Sequence, residues 1–148
     1  MLARVLARAW GLIAGVVLIV FWVQGARAYA LDVAFIESEM VRTARWVAEN
    51  AEPDALIAAH DIGALGYFGG RDLLDLAGLV SPEVIPFMRD EVRLEGYLDS
   101  AGANYLITLQ GWYPGLEQGR EVVFVPEGEF AVSLGGTHMA IYAWAGVP

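Results

Sequence analysis

From Ala9 to Ala26 the chain carries no charged residue, and Leu12 to Val23 is almost continuously apolar. About 18 helical residues are close to the lower limit for crossing a bilayer core of roughly 30 Å. Arg4 and Arg8 precede this segment and Arg27 comes after it. That arginine excess predicts a cytoplasmic N-terminus and an extracytoplasmic remainder. Trp10, Trp22 and Tyr29 stand where interfacial aromatics are expected. A cleaved signal peptide is the rival reading, with Arg4 and Arg8 as the n-region, Leu12 to Val23 as the h-region and Ala26-Arg27-Ala28 as the cut site. The bulk of Trp10, Phe21 and Trp22 and the unbroken helical pattern favour a retained anchor. Both readings place the rest of the chain outside the cytoplasm. The expected division is a cytoplasmic end at 1–8, a membrane helix at 9–26, an amphipathic connecting helix at 27–54 and an extracytoplasmic domain at 55–148.

The chain's 148 residues leave room for one domain beyond that segment. Its nine basic residues are all arginine, against eighteen acids that all lie at or after Asp32. Beyond Arg27 six arginines face eighteen acids, a net of about −12. Such a surface stays soluble and repels nucleic acid, which needs a basic patch to neutralise phosphate. With no lysine there is no Schiff-base or P-loop chemistry. With no cysteine there is no disulfide, thiolate nucleophile or thiolate metal site.

Val33, Ile36, Met40, Ala44 and Val47 recur at helical steps, predicting an amphipathic helix over Asp32 to Asn50 that Pro53 ends. Glu39 and Arg42 are spaced to pair across one turn of it. Trp46 reads as a packing anchor. Short apolar runs predict strands at Ala55–Ala59, Leu73–Leu76, Tyr105–Leu109, Glu121–Val125, Phe130–Leu134 and Met139–Trp144. Gly135-Gly136 reads as a hairpin between the last two. Ser81-Pro82 opens a short helix with Ser81 as N-cap, and Glu91–Ser100 a longer one closed by Gly102. The expected fold is therefore α/β: an N-terminal transmembrane helix followed by a small mixed-sheet α/β domain with an antiparallel edge.

Chemistry-bearing residues gather after the first strands. His60 and Asp61 follow the first, a turn with Gly63, Gly66, Gly69 and Gly70 comes next, and Asp75 lies near the end of the second. Strand ends of this kind face ligands in α/β sheets. His138 is the chain's other histidine, and no metal-ligand spacing exists, so no metal is expected. The turn lacks the G-x-G-x-x-G of a dinucleotide site, and no cofactor is expected. Asp61 and Asp75 read first as acceptors for the backbone N–H groups of the following turns, and otherwise as a carboxylate pair. Trp112 and Tyr113, in the loop Gly111-Trp112-Tyr113-Pro114-Gly115, form either a sugar-stacking platform or a contact with the membrane-proximal helix. The ligand-binding candidates are His60, Asp61, Gly63, Asp75, Trp112 and Tyr113.

HDIGALGYFGGRDLLDLAGLVSPEVIPF from His60, and YLDSAGANYLITLQGWYP from Tyr97, resemble the C-terminal extracytoplasmic domain of bacterial polytopic GT-C glycosyltransferases. The resemblance runs from about Glu39 to Trp144, and the membrane segment before it fits the last spanning helix of such a protein. It implies a tail domain that helps to cover a site where sugar passes from a polyprenyl-phosphate donor to an acceptor. Members of that class place the catalytic acid on an early extracytoplasmic loop, so the resemblance carries no catalytic residue onto this chain. The expected protein is a split or truncated piece, or an accessory, inactive alone, whose partners are the bilayer and a polytopic glycosyltransferase subunit or a glycan. The alternative is a free-standing module that binds glycan or protein.

Overall fold

The computed structural model describes residues 1–144 and divides into two units, Met1–Ala34 and Phe35–Pro148. In the first, helix α1 (Leu2–Ile36) is one unbroken apolar element with no buried residue. It is long and apolar enough to cross a membrane, a property that signal sequences share.

The second unit begins with a π-helical turn, Glu37–Val41, which runs on into α2 (Arg42–Asn50). A π turn holds more residues than an α turn and shifts the helix's buried stripe. Val41, Thr43, Ala44 and Val47 are buried, while Ile36 of the expected stripe is exposed. The shift also turns Glu39 inward, where it is 2% exposed. The expected Glu39–Arg42 pair does not form: Arg42 Nη1 instead donates to the carbonyl of Glu127 at 2.6 Å. Arg71 donates to the carbonyls of Ala48, Ala51 and Glu52, so a cation sits at the C-terminal end of α2, where the helix dipole favours it.

Five strands form one sheet in the order β2-β1-β3-β5-β4. They are β1 (Leu56–Ala59), β2 (Asp72–Asp75), β3 (Tyr105–Leu109), β4 (Val122–Phe124) and β5 (Met139–Ala143). β1 runs parallel to β2 and β3, whereas β5 is antiparallel to β3 and β4. The mixed sheet with its antiparallel edge is as expected. Its two faces bury different side chains, following the two-residue period of a strand. Ile57, Ala59, Tyr105, Ile107, Met139 and Ile141 pack with Ala44 and Val47 of α2. Ala58, Leu106, Ala140 and Tyr142 pack with Leu94 and Leu98 of α3 (Glu91–Ala101). The domain thus has three layers, helix–sheet–helix. Trp46 is the expected packing anchor, stacked on Phe124 and edge-on to Tyr105.

Two local expectations fail. Phe130–Leu134 is not a strand but one helical turn, α5 (Phe130–Ser133). Gly135 does not build a hairpin; it takes a left-handed φ of 79°, and the N–H groups of Gly135 and Gly136 bond back to Val132 and Ala131. Paired glycines that end a helix and those that join strands look alike in sequence. At Ser81, a 3₁₀ turn (Pro82–Val84) starts with proline as expected, but the serine hydroxyl caps nothing. α3 begins instead from Asp90, whose carboxylate accepts from Arg93 N, and it ends at Gly102 with φ 76°.

Candidate functional site

The carboxyl ends of parallel strands leave backbone and loops free to hold a ligand. Here the segment after β1 brings His60 against the loop after β3. His60 Nδ1 and the Tyr113 hydroxyl share a hydrogen bond of 2.7 Å, and the His60 ring meets Trp112 edge-on at 5.2 Å. Met88, Arg89 and Glu91 complete a cleft of about 350 Å³. Trp112 is 49% exposed there, while Tyr113 is buried. Burial, and after it the charges of Glu91 and Asp75, push the Tyr113 hydroxyl above its ordinary pKa, so at neutral pH it stays protonated. His60 Nε2 has no protein partner among the described residues.

Two carboxylates fix the aromatic loop. Gly111 turns the chain with φ 87°. Glu117, in the one-turn helix α4 (Pro114–Glu117), accepts from Gly111 N, from Tyr113 N at 3.0 Å and from the Tyr142 hydroxyl. Burial, with this carboxylate's hydrogen bond second, pushes Tyr142 up to about 12. Glu91 Oε2 accepts from Gly115 N at 2.7 Å and Leu116 N at 3.0 Å. A Cβ on Gly115 would stand 2.8 Å from that oxygen and would push the Glu91 carboxylate aside.

Of the expected candidates, the structure brings His60, Trp112 and Tyr113 together and leaves out the other three. Asp75 is fully buried: Oδ1 accepts from Ala77 N at 2.8 Å and Oδ2 from Val80 N at 2.7 Å. Gly78, between them, has φ 78°, and a Cβ there would stand 2.6 Å from Ile85 Cγ1. Asp75 is the expected backbone acceptor. Asp61 is not: it makes no hydrogen bond among the described residues, since Ile62 and Ala64 already lead the chain into the π-helical turn Leu65–Gly69. Gly63 has open space around its Cβ position and no positive φ, so neither conformation nor crowding demands glycine there. Arg89, Glu91 and Glu117 join the site without being expected from the sequence.

Nδ1 of His60 meets a phenol rather than an orienting carboxylate, and Glu91 Oε2 is already occupied by two amides. Among the described residues no three His, Asp or Glu side chains gather to hold a metal. Aromatic face, histidine and arginine around a small hollow suit binding.

Fold and cleft together define a small three-layer α/β domain that follows, in the chain, an N-terminal helix of spanning length. The chain belongs to the DUF8728 family, described as a domain of unknown function, whose model matches residues 28–142 and so takes in every residue of the cleft. No curated protein and no solved structure matches the chain.

Proposed function

We propose that this chain is a membrane-anchored, extracytoplasmic sugar-binding domain that serves beside a polyprenyl-phosphate-sugar-dependent glycosyltransferase, as a split piece or accessory without activity of its own. The observation that carries the reading is the half-exposed Trp112 beside His60 at the carboxyl edge of β1 and β3. The electron-rich face of an indole attracts the polarised C–H groups of a sugar ring, and His60 Nε2 offers a polar partner at the same place. The resemblance to GT-C tail domains supplies the setting. The loop leaving β2 also exposes Leu79, Val80 and Ile85, which suits an edge covered by an apolar partner.

Tryptophan emission of the full chain, titrated with glucose and with mannose, tests the binding. A saturable change that disappears in Trp112→Ala is expected. The same response from both proteins would refute the assignment, and turnover of a polyprenyl-phosphate sugar by the purified chain would refute the auxiliary role.

A further inference from the structure

Beyond the apolar helix the chain has six arginines, and five are engaged. Arg42 bonds the Glu127 carbonyl, and Arg71 those of Ala48, Ala51 and Glu52. Arg45 lies over Phe68 and Arg93 over Phe87. Arg120 pairs with Glu95 and covers Trp144 at 3.3 Å. Arg89 alone has no partner among the described residues, and it lines the cleft with His60 and Trp112. Arg89 is exposed, so its guanidinium is hydrated and open to an incoming anion.

The two acids next to Arg89 in the chain turn to other partners. Asp90 Oδ1 accepts from Arg93 N, and Glu91 Oε2 from Gly115 N and Leu116 N. Each carboxylate thus has one oxygen on backbone amides, and neither pairs with the guanidinium. Its planar fork matches a carboxylate or a phosphate, and such charge-assisted bonds are about twice as strong as neutral ones. A cleft of about 350 Å³ lies at the small end of ligand-binding hollows.

We propose that the cleft takes a single sugar unit bearing a negative charge, a carboxylate or a phosphate, with Arg89 holding the anion and Trp112 and His60 the ring. This rests on the sugar-binding reading of the same cleft. Glu91 also lines the cleft and repels an anion beside it, so the charge is assigned to Arg89 and the hydroxyls to Glu91.

The test is ligand-observed NMR on the full chain in a polyoxyethylene detergent, which contains no sugar. Glucose, glucuronate, glucose 6-phosphate and inorganic phosphate are the probes. Glucuronate and glucose 6-phosphate should bind at least about tenfold more tightly than glucose. The two arms separate a carboxylate from a phosphate preference. Arg89→Ala, an exposed change that breaks no hydrogen bond or ion pair among the described residues, should bring both charged sugars to the level of glucose, and Arg89→Lys should restore part of the difference. Trp112→Ala should abolish binding of all three sugars. Equal affinity for glucose and the charged sugars overturns the anion site and leaves sugar binding standing. Binding of none overturns both readings. Inorganic phosphate binding as tightly as glucose 6-phosphate, unchanged by Trp112→Ala, overturns the proposal in favour of a plain anion site.

Discussion

Replacing Asp75 with alanine separates a structural carboxylate from a ligand-binding one. The side chain is fully buried, and its two oxygens satisfy Ala77 N and Val80 N. Alanine removes both acceptors, and each orphaned buried donor costs about 1–3 kcal/mol. Val80 is exposed and Ala77 half-buried, so water can reach the freed amides and the low end applies, about 2–3 kcal/mol in all. At about 4 °C per kcal/mol for a domain of this size, Tm should fall by about 8–12 °C. Asp61→Ala removes no hydrogen bond and should shift Tm by no more than about 2 °C. The assay is thermal melting of the full chain, followed by near-ultraviolet circular dichroism of its tryptophans. A loss in Asp61→Ala as large as that in Asp75→Ala, or an Asp75→Ala protein that melts like the parent, would refute the reasoning.

The absence of lysine and cysteine makes the alkaline limb of stability a report on tyrosines alone. Tyr97, Tyr105, Tyr113 and Tyr142 are all raised by burial in the fold, Tyr142 to about 12. A raised pKa contributes stability that is full below the ordinary tyrosine value of about 10 and is lost as pH rises through the folded value. Tm should therefore hold to about pH 10 and fall from there to about 12, less steeply in Tyr142→Phe; a flat profile through pH 12 would contradict the burial of these hydroxyls. For topology, a reporter active only outside the cytoplasm, fused after Pro148, should be active because Arg4 and Arg8 outweigh Arg27. Activity of a cytoplasm-only reporter there would reverse the assignment.

The sheet is legible in the sequence where apolar runs are bounded by turn residues, as at Tyr105–Leu109, whose observed bounds match. The D-L-x-G-L pattern at Asp75–Leu79 is legible as an acid near a glycine, and the structure gives each position its reason: two amide bonds, a buried Leu76 and a left-handed Gly78. Glu39 escapes such a reading because a straight α-helical count places it beside Arg42 on the surface. One π turn moves it inward, where Oε2 accepts from Met139 N at 2.9 Å and Oε1 lies 3.3 Å from His138 Nδ1. Glu91 leaves no local signal, because its partners are amides of Gly115 and Leu116 in a distant loop.

Those acids share one role, which changes the meaning of the chain's charge. A strongly acidic composition reads as a solvated surface, yet Glu39, Asp75, Asp90, Glu91 and Glu117 each accept from backbone N–H groups of a loop, strand end or helix start. Carboxylates take the place that regular hydrogen-bond ladders cannot fill where the chain leaves the sheet. Two of them serve the cleft: Glu91 and Glu117 hold the loop of Trp112 and Tyr113 from two sides, while Asp75, outside the cleft, ties the exit of β2. The loop is therefore ordered before any ligand arrives. For the proposed charged sugar, binding would then lose little entropy in ordering side chains, and Arg89, left without an acid among the described residues, would set the preference for charge.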